Sequence, residues 1–153
     1  MDRGVNRTRK FGSHAYAEQL DARVVAAGAE EGIRLRFDRI ARVPNTFDAH
    51  RLIWLAGRHG VQNSVVESLF QAYFLDAEDV GQAEVLQRIA RQNGLDFDGD
   101  AGSEQVRVEE AHAREQAVSG VPTFVVAGVP MVSGAQPPEV LASVLKPLRP
   151  SAA

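Results

Sequence analysis

The sequence predicts an α/β chain that is mostly helical: a block of helices, then a β-hairpin and a closing helix. Three observations carry this. Before Val118, apolar residues recur every three to four positions, as in Tyr16, Leu20, Val24 and Ala27, the spacing of a helix face. After it comes a β-rich run, Val121-Pro122-Thr123-Phe124-Val125-Val126-Ala127, with Gly128 to turn it and Val129-Pro130-Met131-Val132 to return. Finally, Pro137-Pro138-Glu139 opens a helix whose apolar face is Val140, Leu141, Val144, Leu145 and Leu148, with proline in the first turn where its missing N–H is harmless.

The elements follow in order. Ser13 caps a helix from about His14 to Glu31, and Gly32 ends it. Ile33-Arg34-Leu35-Arg36-Phe37-Asp38 alternates with period two and reads as a short strand or extended segment. Pro44-Asn45-Thr46-Phe47-Asp48 opens the next helix: Asn45 can accept from a first-turn amide, and Asp48 can reach back and favours the positive helix end. That helix runs to about Arg58 and stops at Gly60. A third, from about Asn63 to Leu75, carries Val65, Val66, Leu69, Phe70, Tyr73 and Phe74 as one apolar stripe. A fourth runs from about Gln82 to Gln92. Asp96 to Gly102 is an acidic, glycine-bearing loop, and a fifth helix, about Ser103 to Ala117, has a thin buried stripe.

Bulk properties narrow the function. With 153 residues, 44% of them hydrophobic, the chain has material for a real core. Both charge signs are interspersed and the net charge is −3, which gives no footprint for nucleic acid or an anionic membrane. No apolar run approaches the roughly 20 residues that span a bilayer. The start, Met1 to Lys10, is basic without an apolar segment behind it, so it does not read as a secretory signal, and a cytoplasmic location is expected. The Asn6-Arg7-Thr8 sequon is then without consequence. There is no cysteine, which excludes structural disulfides, thiolate metal sites and cysteine nucleophiles within these residues.

Few constellations suggest chemistry. Glu109-x-x-His112 has the spacing of a carboxylate-bridged di-metal site, but no second copy exists and its helix reads as solvated, so no metal is expected. His50 and His59 are nine positions apart, too far along a helix to share an ion. His50 lies on the side carrying Phe47 and Trp54 and is expected to be partly buried with a hydrogen-bond partner. Glycine-rich phosphate loops and the Gly-x-Ser-x-Gly elbow are absent. Val121-Pro122-Thr123 is the most informative short piece: a proline at the head of a β run fits a tight bend with a cis Val–Pro bond, and a plain strand-entry proline explains it about equally well.

Three segments taken together change that balance. Pro44-Asn45-Thr46-Phe47-Asp48-Ala49-His50-Arg51-Leu52, then Leu69-Phe70-Gln71-Ala72-Tyr73-Phe74, then Val118 to Val125 closing with Val132-Ser133-Gly134-Ala135-Gln136-Pro137-Pro138, resemble the DsbA family, in particular its FrnE-like branch. The resemblance spans Asp2 to Leu148. It implies a thioredoxin-like fold with an inserted helical domain: residues 1–118 resemble that insertion, 119–148 the C-terminal ββα half, and 149–153 are a tail. It also implies that Pro122 matches the family's cis-proline, that Val121 would accept a backbone bond from an extended thiol substrate, and that Asn45 and His50 lie near the substrate cleft. The family activity is thiol–disulfide exchange on a protein or small thiol, without a cofactor.

One departure is as clear as the match. The family's opening strand–Cys-x-x-Cys–helix–strand unit, whose helix end activates the first cysteine, has no counterpart here, so the N-terminal βαβ portion is expected to be missing and no catalytic residue carries over. A hairpin without those strands has an uncovered edge and is marginal by itself. The expectation is a truncated reading of a longer gene, a homodimer or other pairing through that edge, or poor stability. Two other readings stand beside this one. The first is an enzyme like the related 2-hydroxychromene-2-carboxylate isomerases and kappa-class glutathione transferases, with glutathione as its cofactor. The second is a non-enzymatic module that completes its sheet on a partner.

Overall fold

The computed structural model describes residues 1–116, 118, 120–126 and 129–145. The chain falls into two compact units, Met1–Val106 and Arg107–Ala153. In the first lie α1 (Arg3–Phe11), α2 (His14–Glu30), α3 (Phe47–Arg58), α4 (Gln62–Phe70), a π-helical turn (Gln71–Leu75) and α5 (Ala83–Gln92). The division falls inside α6 (Ser103–Glu115). The second unit adds β1 (Thr123–Val126), β2 (Val129–Ser133) and α7 (Pro138–Leu145). Among the described residues no helix is long and apolar enough to cross a membrane.

The basic start is a helix, unexpected from the sequence. Asp2 caps it by accepting from the Val5 amide at 2.9 Å, and Gly12, at φ +87°, ends it in the left-handed conformation that suits glycine. Its inner face is built from cations: Arg3 and Arg7 both reach Asp21 of α2, Arg3 at 2.7 Å. Such a helix has little hydrophobic period to detect. The chain start is also tied by backbone bonds, Arg3 N to Ala41 O at 3.0 Å and Val43 N to Met1 O at 2.9 Å.

The core sits where α3, α4 and α5 meet. Leu52, Val65, Leu86 and Ile89 are its largest fully buried side chains, each worth about 1.5–3 kcal/mol of transfer free energy. The expected α2 runs from His14 with Ser13 as its cap (Ser13 Oγ accepts from Tyr16 N at 3.2 Å). Two expectations need correction. Residues 33–38 form no strand: no described residue pairs with them in a ladder, the Arg36 amide donates to Phe74 O at 2.8 Å, and Arg36 folds onto Asp38 two residues on, both bonds 3.1 Å. The Arg36 guanidinium, hydrogen-bonded to Asp38, holds that carboxyl below its usual value.

The stripe expected from Val65 to Phe74 is likewise not continuous. The helix widens at residues 71–75, where Asp76 N reaches Gln71 O. Val65, Leu69 and Ala72 face the core. Phe70 is exposed, and Tyr73 and Phe74 are half-buried in an aromatic cluster with Phe37.

A polar anchor completes the unit. Arg51 is 7% exposed and satisfied at every nitrogen: Nε donates to Ala101 O (3.0 Å), Nη2 to Gly99 O (2.6 Å) and Nη1 to Asp48 (2.8 Å), while the guanidinium lies 5.3 Å from the Phe97 ring centroid. The loop before α6 is thereby fixed, and Gly102 passes against Trp54. In the second unit β1 and β2 pair antiparallel, with Thr123 opposite Ser133 and Val126 opposite Val129. The register slips between Phe124 and Val125, opposite Pro130, which has no N–H to give a ladder. The turn residues Ala127 and Gly128, the helix end at Ala117, and Leu148 with the tail lie outside the described residues.

Two outcomes are expected. Gly102 has φ +76°, and a Cβ there would lie 2.6 Å from Trp54 Cε3, so Gly102→Ala should cost about 2–3 kcal/mol in urea unfolding; an unchanged midpoint would contradict this packing. Burial pushes the Tyr73 hydroxyl above its ordinary value near 10. An acid whose folded value is raised keeps its contribution below that ordinary value and loses it as pH rises through the raised one. Stability should therefore fall above roughly pH 10, and Tyr73→Phe should flatten that fall; parallel wild-type and variant curves would refute the assignment.

Candidate functional site

The four residues singled out by sequence fall in two places. Asn45 and His50 belong to the first unit, at the start of α3; Val121 and Pro122 belong to the second, at the head of β1.

Asn45 does what its position suggested: its Oδ1 accepts from Phe47 N at 3.1 Å, while Thr46 occupies the cap position without a side-chain bond. Asp48 does not reach back to the cap. It is engaged by Arg51 instead, one turn on. Gly81 holds the segment from the other side. A Cβ at Gly81 would lie 2.9 Å from Asn45 O and 3.2 Å from Asn45 N, so only a hydrogen lets the two backbones come this close. The Gly81 amide is itself fixed by Asp79 Oδ1 at 2.9 Å, an Asx turn whose local signal, Asp79-Val80-Gly81, is present in the sequence.

His50 corrects an expectation. It is exposed, and among the described residues its ring has no hydrogen-bond or ion-pair partner. The buried face of α3 is Ala49, Leu52 and Ala56, at spacings of three and four, with Arg51 beside it. The side that carries Phe47 and Trp54 is only half-buried, so His50 between them points to solvent.

At the hairpin, the Val121–Pro122 peptide bond is cis. The bend is pinned on both sides: Thr123 Oγ1 donates to Gly120 O at 2.6 Å, and Gly134 N donates to Pro122 O at 2.7 Å. Val121 itself is 88% exposed, and among the described residues nothing bonds to its amide or carbonyl. The arrangement presents, at Val121, an amide and a carbonyl that are unengaged among the described residues, beside a fixed bend. Among the described residues the bend carries no titratable side chain. Among the described residues no group of three or more His, Asp or Glu is placed to hold a metal ion, so Glu109 and His112 form no such site; His112 instead lies 2.9 Å from the Gln116 side chain.

Comparison with known proteins bears on the family and the fold. The model of the DSBA-like thioredoxin domain matches residues 4–146. A crystal structure of a probable DsbA oxidoreductase from Streptomyces coelicolor is similar at 30% identity and a TM-score of 0.82, the match covering 96% of this chain and 67% of that one. No curated protein matches the chain.

The Gly81 contact can be tested directly. Gly81→Ala should displace Asn45 and loosen the start of α3, costing about 1–3 kcal/mol. The Phe47 amide should then exchange with solvent about tenfold faster or more. Unaltered exchange at Phe47 would show that Gly81 does not position this segment.

Proposed function

Because the chain belongs to the DSBA-like thioredoxin domain family and has its mostly helical, thioredoxin-like α/β fold, we propose that it serves thiol–disulfide exchange as the substrate-side scaffold. The reacting dithiol is supplied from outside these 153 residues, which hold no cysteine. In such an exchange one thiolate attacks a substrate disulfide sulfur and releases the first substrate thiolate; the second thiolate then attacks the dithiol's own sulfur of the mixed disulfide, forming the new disulfide and releasing the second substrate thiolate, so two electrons pass from dithiol to substrate. None of these atoms belongs to this chain. Its contribution is to hold the substrate backbone in line.

The observation that carries this reading is Val121, exposed with its amide and carbonyl unengaged among the described residues, beside a bend locked at Gly120, Pro122 and Thr123. An extended substrate segment laid along Val121 gains main-chain bonds without disturbing β1 or β2. Specificity then rests on the substrate's alternate side chains. Family membership gives the substrate class: a protein or small molecule carrying a thiol or disulfide.

Two measurements test it. In an insulin-reduction assay the chain alone should give no rate above the chemical background; turnover would overturn the external supply of sulfur. In solution NMR, an extended cysteine-containing peptide should shift the Val121 amide. Methylating the peptide nitrogen that faces the Val121 carbonyl should weaken binding about fivefold, the worth of one net hydrogen bond near 1 kcal/mol. Binding that leaves Val121 unmoved, or that ignores the methyl group, would refute the proposed docking.

A further inference from the structure

A cavity of about 400 Å³ lies within the first unit, between α1, α2, the Phe37 bend and the π-helical turn. Its size suits a molecule of one or two rings. Neither Val121 nor Asn45 lines it, so a ligand bound there is independent of the proposed exchange function.

Two kinds of side chain line it. Phe11, Phe37 and Phe74, with Leu20 and Val24, are the apolar part. Arg3, Arg7 and Lys10 bring three cations to the same lining, against one carboxylate, Asp21, so positive charge is left over. The cations are already held. Asp21 takes a nitrogen from each arginine, the Arg3 guanidinium lies 5.1 Å from the Phe37 ring centroid, and the Arg7 guanidinium 4.7 Å from that of Phe11. Lys10 Nζ is 5.5 Å from the same Phe11 ring and makes no ion pair among the described residues.

One donor in the lining is unused: the Tyr73 hydroxyl has no hydrogen-bond partner among the described residues. A hydrophobic slot, surplus positive charge and a spare donor describe the complement of a flat apolar body with one negative group. A neutral apolar guest would leave the cations unmatched. A highly charged one would leave the rings in contact with polar groups.

We propose that this cavity is a binding site for a small planar organic anion, an aromatic ring carrying one anionic group, with the ring against Phe11, Phe37 and Phe74 and the charge toward Arg7 and Lys10.

The test uses the full chain and 2-naphthalenesulfonate, with 2-naphthalenesulfonamide as a neutral probe of nearly the same shape, in titration calorimetry. The sulfonate should bind one to one, and the sulfonamide about tenfold more weakly or worse, as expected when charge selects the guest. Lys10→Gln, which alters an exposed side chain, should weaken sulfonate binding about threefold or more. Val24→Trp, which fills the slot, should abolish it. No heat with folded protein at about 5 mM sulfonate, where a useful site would be well occupied, overturns the proposal. Equal affinity for the two probes, or full affinity in Lys10→Gln, does the same. Should Val24→Trp fail to fold, the probe pair and Lys10→Gln still decide.

Discussion

Moving the Arg51 guanidinium out of water costs several kcal/mol unless its nitrogens are met, and the helical unit is arranged so that they are. Two of its partners are main-chain carbonyls, Gly99 and Ala101, in a loop with no helix or ladder to fix it. The third, Asp48, is half exposed and supplies the countercharge. The loop therefore takes one path, because only that path puts two carbonyls on the fork. Gly102 can then turn at positive φ against Trp54, and α6 starts from Ser103, whose hydroxyl bonds Asp100. The same residue fixes α3 through Asp48. With Gly81 close against the Asn45 backbone on the other side, the start of α3 is held from two directions by contacts that are not hydrophobic.

Burial is distributed unevenly between the two units. Every fully buried side chain among the described residues lies at or before Val106. Among the hairpin and α7 side chains whose burial is described, Phe124, Val132, Leu141 and Val144 are only half-buried, while Val125, Val140 and Leu145 are exposed. Two strands and one short helix enclose too little apolar surface to gain much by burial. Among the described residues, burial is thus concentrated where α3, α4 and α5 pack.

What could be read from the sequence divides along physical lines. α2 and its Ser13 cap, Asn45 as an acceptor for the first amide of α3, and both hairpin strands were legible because each rests on local signals: a cap, a period, a proline at a strand head. α1 was not, since its inner face is arginine paired with a carboxylate far along the chain and not apolar; Asp2 and Gly12, a cap and a stop, were the signals available. The strand expected at residues 33–38 failed because alternation shows only that a segment can be a strand, not that a partner exists, and here the Arg36 amide goes to Phe74. His50 was misplaced for a related reason. Two large aromatics on its side suggested burial, yet small residues, Ala49 and Ala56 flanking Leu52, mark the face that packs closely. The widening at residues 71–75 left no trace in the pattern, and with it went any view of where Tyr73 and Phe74 point.

The family resemblance and the missing cysteine are at odds only if recognition and reaction are assigned to the same atoms. In exchange chemistry the sulfur does the bond making, and its rate is set by thiolate pKa and access; the substrate backbone is positioned by main-chain groups that need no particular side chain. Val121 can present its amide and carbonyl whatever its side chain is, provided the bend beside it is rigid. Rigidity there comes from the Thr123 hydroxyl on Gly120 O and the Gly134 amide on Pro122 O, both local to the hairpin. A peptide added along Val121 would also cover part of the half-exposed apolar surface around β1. On the proposed reading, the backbone left open at Val121 serves as the docking edge, and that role needs no cysteine in this chain.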